Sequence, residues 1–207
     1  MKKIAIFIAV FILMGGGFTS AQEKIDAPIW NAGDKWAYKT ADGKKFTNEV
    51  VKVDDEFFVV RMGGSPYLNV YDKKTMNITK WIDSSGTEAP ASALNIYDFP
   101  LFVGKNWGGQ ILPSGATRVG GQASRWEYSF KVEDREEINT IAGSFKAYRL
   151  YCKHSNLGPR AIPGGWIKFW YSPEAKAWVK RVAEKSRYFQ GTQFENDIEL
   201  VSYQLKK

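Results

Sequence analysis

One cysteine and one histidine occur in 207 residues, and no apolar run is long enough to span a bilayer as a helix. Each scarcity excludes something. A lone Cys152 forbids an intramolecular disulfide, so the domain must be held by its core, which a chain of this length can supply. A lone His154 means that any Ser–His–Asp or Cys–His site would have to use it. Cys152 and His154 sit two apart and share a strand face, a half-site that only carboxylates could complete as a metal centre. The plainer reading is a buried free thiol and a structural or surface histidine. No Gly-rich stretch of the mature chain makes a phosphate loop, and no segment keeps a 3.6-residue period over three turns. Charge of one sign is also scarce. Lys and Arg number 29 against 22 Asp and Glu, and acidic runs at 54–56 and 133–137 fall among the basic residues. A nucleic-acid binder gathers its cations on one stripe, so nucleic acid is not expected as a partner; anionic envelope surfaces stay on the list of contacts. No catalytic, cofactor-binding or metal-binding residue is assigned, and no cofactor is expected.

What is present begins with an export signal. Lys2 and Lys3 precede the uninterrupted apolar run Ile4–Met14, Gly15 to Gly17 break it, and Thr19-Ser20-Ala21 supplies small residues. The 11-residue core fits the usual range of about 7–15 for a secretory signal. Even counted to Phe18 the run has 15 residues, short of the roughly 20 a spanning helix needs. Cleavage is expected between Ala21 and Gln22. No Cys follows that bond, which disfavours a lipid tether. The expectation is a periplasmic or secreted protein without a transmembrane segment after signal removal, its mature charge falling from +7 by the two lost lysines.

The mature part, 22–207, is expected to be a single domain rich in aromatics: 8 Trp, 10 Tyr and 13 Phe beside 19 Gly, a composition that favours strands and turns. Period-two alternation recurs. Trp126, Tyr128, Phe130 and Val132 fall on one face of a half-buried strand. Phe145 to Cys152 carries large residues on both faces. Trp166, Lys168 and Trp170 alternate with Ile167, Phe169 and Tyr171. Turns separate the runs at Asp42-Gly43, Asp54-Asp55, Gly63 to Pro66, Ala142-Gly143 and Ser172-Pro173-Glu174. These predict an all-β, mainly antiparallel fold, a curved or sandwich-like sheet of roughly ten to twelve strands with little helix beyond the signal. Residues 84–94 read as a loop or short helical turn, and Gly-rich 108–123 as another loop. A sequence echo, Trp30-x-x-Gly33-x-x-Trp36 and Leu101-x-x-Gly104-x-x-Trp107, hints at two related halves meeting near 84–107.

The aromatic excess is the feature that asks for a function. Core packing accounts for most of it. The surplus could line a concave pocket for a hydrophobic, lipid-like or glycan ligand, with Trp126, Tyr128, Trp166, Trp170 and Trp178 as the candidate ligand-facing residues. Lys168 shares a face with Trp166 and Trp170. Two other readings stand beside this binding module. One is a glycan-acting enzyme, which requires two carboxylates about 5–9 Å apart across a cleft. The other is an envelope assembly or interaction protein, which requires an exposed apolar patch or open edge strand.

Four stretches carry a resemblance: Phe99-Pro-Leu-Phe-Val-Gly104-Lys-Asn-Trp107, Ile141-Ala-Gly143-Ser-Phe145-Lys-Ala147, Trp170-Tyr-Ser-Pro173 and Trp178-Val-Lys-Arg181. Together they resemble bacterial exported β-rich proteins grouped as domains of unknown function. The resemblance covers roughly 95–185 and rests on Gly and Pro turns. It implies an antiparallel β fold and a periplasmic or surface location, and it carries over no activity and no functional residue. A likeness in shape to periplasmic lipoprotein carriers, with an open curved sheet, is an analogy of fold alone.

Overall fold

The structure, a computed structural model, describes residues 23–91, 94–111, 126–156, 164–185 and 196–207. The expected signal segment and the expected Ala21–Gln22 cleavage bond lie outside the described residues. Twelve strands are formed: β1 (Lys35–Thr40), β2 (Lys45–Val53), β3 (Phe57–Arg61), β4 (Leu68–Asp72), β5 (Ile78–Ile82), β6 (Glu88–Pro90), β7 (Asn106–Ile111), β8 (Trp126–Thr140), β9 (Gly143–Asn156), β10 (Gly165–Ser172), β11 (Ala177–Ala183) and β12 (Ile198–Gln204). They make one open antiparallel sheet in the order β6-β5-β4-β3-β2-β1-β12-β11-β10-β9-β8-β7. No helix occurs among the described residues. The all-β sheet expected from the alternation is the fold observed.

Local chemistry sets the hairpins. Gly43, at φ 90°, turns β1 into β2, and Gly143, at φ 134°, turns β8 into β9; both backbones sit where an L side chain is strained. Two expected loops are partly strand. Within 84–94, Glu88–Pro90 pairs with β5, and Pro90 is tolerated because it ends an edge strand. Within 108–123, residues 108–111 belong to β7. Their glycines serve a close approach: a Cβ on Gly108 would lie 2.5 Å from the Tyr128 carbonyl oxygen, and one on Gly109 would lie 2.8 Å from the Tyr128 hydroxyl.

The first six strands and the last six carry the same irregularities at corresponding places. At Gly33 and Gly104, φ is 89° and 90°. Each donates to a valine carbonyl, Val50 or Val132, whose own N–H returns to the next residue, Asp34 or Lys105. Each valine starts a bulge, between Val50 and Lys52 and between Val132 and Asp134. Two strands on, bulges fall between Val70 and Tyr71 and between Trp170 and Tyr171, pairing Tyr71 with Ile78 and Tyr171 with Trp178. The turns that follow hold Met76 (φ 57°) and Lys176 (φ 54°), the two non-glycine residues at positive φ among those described.

The core forms because the sheet folds over itself. β11 meets β12 through only two residue pairs, Lys180–Glu199 and Arg181–Ile198, so the sheet turns sharply there. The β10–β11 turn is thereby laid over the start of β1. Three hydrogen bonds fix the closure. The Trp36 indole donates to the Ala175 carbonyl at 2.6 Å, Trp30 to Lys176 at 2.9 Å and the Tyr38 hydroxyl to Trp178 at 3.0 Å. Buried aromatics need partners for their polar ends, and here those partners lie about 140 residues away in sequence. The tip of the β8–β9 hairpin also reaches β12, where Ala142 N–H donates to the Leu200 carbonyl.

Candidate functional site

Between the folded halves lies a cavity of about 990 Å³, at the top of the range for small-molecule sites. Its floor is apolar. Trp30 packs at 5.3 Å from both Trp36 and Phe58 and edge-on to Tyr71 at 5.5 Å, and Met76 is fully buried beside them. The segment linking the halves crosses the space and contributes Leu94, Ile96 and Tyr97 to the wall. Tyr97 is stacked between Phe99 (5.3 Å) and Trp178 (4.8 Å). Asn77 pins it by accepting from the Tyr97 N–H and donating to the Tyr97 carbonyl. Lys44, Ser65, Tyr67 and Arg181 add polar groups to the lining; Tyr67 is 46% exposed.

The lining is apolar in its electrostatics too. Burial pushes the Tyr71 hydroxyl up to about 12, against a hydrogen bond from Asn69, and holds Tyr38 and Tyr97 well above the usual phenol value. Burial pushes His154 down to about 4, so its ring is neutral at pH 7. Burial also lowers Arg181 to about 10, against the pull of Asp197 and Tyr38. No carboxylate lines the cavity among the described residues, and no cluster of three His, Cys, Asp or Glu side chains suited to a metal occurs among them. Cys152 shares His154's face, but burial drives its thiol far above the ordinary value, which leaves no thiolate for nucleophilic work.

Of the five aromatics singled out from sequence, Trp126, Tyr128 and Trp178 line the cavity. Trp166 and Trp170 do not. Their cross-strand partners are Lys153 and Arg149, which places them on the opposite face of β10, while Ile167, Phe169 and Tyr171 face inward. There Trp166 stacks with Tyr151 at 6.4 Å under the Lys168 ammonium at 5.6 Å. The Trp170 indole donates to Glu136 at 2.7 Å. The acidic stretch 133–137 lies within β8 and is tied down on this outer face: Arg149 donates to Glu133 at 3.0 Å and to both Glu136 oxygens at 2.9 Å. A shallow groove near the β8–β9 tip has a mixed lining, with Arg135, Glu137, Lys146 and Glu174 beside Phe145 and Pro173.

Most of the lining escaped the sequence reading. Trp30, Trp36 and Tyr38 were legible only as strand residues, although the Trp-x-x-Gly-x-x-Trp echo marked two of them. Tyr97 sits in a segment without alternation. Asn48, Asn69 and Asn77 line the wall, and nothing in their neighbourhood distinguishes them from turn or edge asparagines.

No family model matches the chain, and no curated protein matches it. Three solved structures are similar to it in outline. A candidate lipoprotein of Parabacteroides distasonis is 14% identical, with 88% of this chain and all of that one covered and a TM-score of 0.43. The hypothetical lipoprotein YmcC of Escherichia coli is 12% identical over 84% of each chain, TM-score 0.43. A candidate exported protein of YmcC-like fold from Bacteroides fragilis is 16% identical over 87% of this chain and 99% of that one, TM-score 0.40.

Proposed function

We propose that the protein is an exported, non-enzymatic binding module that holds a hydrophobic or lipid-like ligand between its two half-sheets. The carrying observation is the 990 Å³ cavity walled by Trp30, Trp36, Tyr71, Tyr97, Trp126 and Trp178. An apolar space of this size recovers roughly 25 cal/mol for each Å² of ligand surface it removes from water. Among the described residues no carboxylate lines the wall, which favours holding a ligand over carboxylate-driven hydrolysis. The three-zone N-terminus supports a periplasmic or secreted site of action.

The test uses protein purified from its own host compartment. Native mass spectrometry is expected to find an apolar adduct that organic extraction removes. The stripped protein should then bind N-phenyl-1-naphthylamine with enhanced dye fluorescence. Asn69→Phe places in the cavity wall the side chain that stands at the corresponding position of the second half, Phe169. It is expected to cut dye affinity at least tenfold, about 1.4 kcal/mol, with the thermal midpoint held. Wild-type protein that neither carries an adduct nor binds the dye would sink the reading, as would full affinity in a folded Asn69→Phe variant.

A further inference from the structure

Three asparagines interrupt the apolar wall on the first-half side, and their side chains are not equally engaged. The Asn48 carbonyl oxygen accepts from the Gly63 N–H at 3.2 Å. Asn77 spends both ends on the Tyr97 backbone, donating to its carbonyl at 2.9 Å and accepting from its N–H at 3.2 Å. Asn69, on β4, is only 8% exposed and lines the cavity. Its amide N–H is turned to the Tyr71 oxygen, and the Tyr71 hydroxyl donates to the Met62 sulfur at 3.9 Å. A phenol has one proton to give, so the Asn69–Tyr71 contact takes its proton from the amide. The Asn69 carbonyl oxygen is left open to the cavity, with no partner among the described residues.

Register sets a donor beside this acceptor. Asn69 pairs with Trp81 across β4 and β5, and both line the cavity. Directly opposite residues on one face have Cβ atoms about 4.5–5.5 Å apart. The half-buried Trp81 indole N–H can only donate, and it too has no hydrogen-bond partner among the described residues. The corresponding pair of the second half is Phe169 and Arg181, so the frame accepts an aromatic ring where Asn69 stands. A buried amide oxygen left unsatisfied is a net cost to the fold, which a ring at that place would avoid. Packing therefore does not ask for Asn69, whereas a polar group on a ligand does.

We propose that the occupant is an apolar molecule bearing a neutral hydroxyl group, which accepts from the Trp81 indole N–H and donates to the Asn69 carbonyl oxygen while the apolar body lies against the aromatic wall. This rests on the cavity being a hydrophobic binding site, and it adds the polar group that the ligand carries. A hydroxyl both accepts and donates. A carboxylate has no proton for Asn69, an ammonium has no lone pair for Trp81, and a bare hydrocarbon leaves both groups unpaired. An ether serves Trp81 alone.

The experiment titrates the stripped protein at pH 7 by calorimetry with five ligands on one apolar body: 2-naphthalenemethanol, its methyl ether, 2-methylnaphthalene, 2-naphthoate and 2-naphthylmethylamine. In the wild type the alcohol is expected to bind about fivefold tighter than the ether, and the ether about fivefold tighter than the hydrocarbon, each step being one neutral hydrogen bond. Asn69→Leu, close in volume, should bring the alcohol down to the ether and leave the ether unchanged. Trp81→Phe keeps a ring and removes the donor, so it should weaken alcohol and ether alike and leave the hydrocarbon unchanged. Equal affinity for alcohol, ether and hydrocarbon overturns the hydroxyl assignment and leaves the hydrophobic site standing. Tighter binding of 2-naphthoate or 2-naphthylmethylamine than of the alcohol overturns it in favour of a charged head. An alcohol preference that survives in both folded variants overturns the assignment to Asn69 and Trp81. Protein that binds neither N-phenyl-1-naphthylamine nor any of the five overturns both readings together. Should Asn69→Leu not fold, the wild-type series and Trp81→Phe decide the matter.

Discussion

The first six strands and the last six follow one plan with different fillings. Corresponding positions can be read off the shared bulges and turns, and at three of them the halves disagree in the same sense. Asn48, Asn69 and Asn77 of the first half stand where the second half has Phe130, Phe169 and Ala177. All three asparagines line the cavity. In the second half, Val132, Leu150, Cys152, Ile167 and Val179 are fully buried and close the inner face by packing. The difference teaches that the backbone plan does not itself make the site. Both halves face the cavity, Phe169 and Ala177 among them, but on the first-half side short polar side chains stand at these places, two of which bond to a loop and the linker. The Gly63 N–H donates to Asn48 at 3.2 Å, and Asn77 holds Tyr97.

The two marker tryptophans give the sharpest way to break that comparison. Trp36 is 2% exposed and bonds across the fold to Ala175. Trp107, at the corresponding place, stacks on Phe130 at 5.1 Å and donates to the Asn95 carbonyl near the surface. Trp36→Ala is expected to cost about 3–5 kcal/mol, the range for a fully buried large aromatic. Trp107→Ala should cost about 1–2 kcal/mol, in keeping with partial burial. Urea unfolding of the two variants checks it. Equal costs would mean that the closure over β1 contributes no more than an ordinary edge strand.

The second contrast is in pH. Two positions beyond Val60 and Leu150 come Met62 and Cys152, and two further come Gly64 and His154, so the first half has no counterpart to this buried ring. The folded-state pKa of His154 is about 4 and the free value is 6.5. Between those values the unfolded chain binds more protons, so stability rises with pH and is lost as pH falls through the window. The loss is on the order of 3 kcal/mol by the bottom of it. Asp42, Asp54 and Asp83 are held low chiefly by hydrogen bonds from Thr40, Phe57 and Ser85, and their contributions fall away only at more acid pH. His154→Gln should flatten the slope between pH 6.5 and 4. A slope that persists in this variant would assign the acid sensitivity elsewhere.

The strands were legible because alternation and turn residues act locally: Asp42-Gly43, Ala142-Gly143 and Ser172-Pro173 each lie between paired strands. The face was less so. β10 reads Trp-Ile-Lys-Phe-Trp-Tyr, aromatic on both sides, and only its pairing with Leu150 and Cys152 decides that Phe169 faces inward and Trp170 outward. That decision belongs to tertiary structure. Trp126 and Tyr128 were easier, since Glu127 and Ser129 mark the other face as solvent. That Arg181 and Lys44 share one lining was not visible at all, because they are 137 positions apart in sequence and reach it from β11 and the β1–β2 turn.

The smallest effect is the most direct probe of the shared plan. Gly33 and Gly104 have φ of 89° and 90°, and a side chain in that region costs about 1–2 kcal/mol. Their surroundings differ. A Cβ at Gly104 would meet nothing within 4 Å, whereas one at Gly33 would come 3.1 Å from the far end of the Lys206 side chain, a group that can swing aside. Backbone strain should therefore dominate at both sites, and Gly33→Ala and Gly104→Ala should each lower stability by about 1 kcal/mol, near 2–4 °C in the thermal midpoint for a domain of this size. Matched losses would mean that the two turns do the same conformational work in both halves. A loss at Gly33 alone would point to Lys206 and the local packing, and the correspondence between the halves would then be one of sequence pattern without shared energetics.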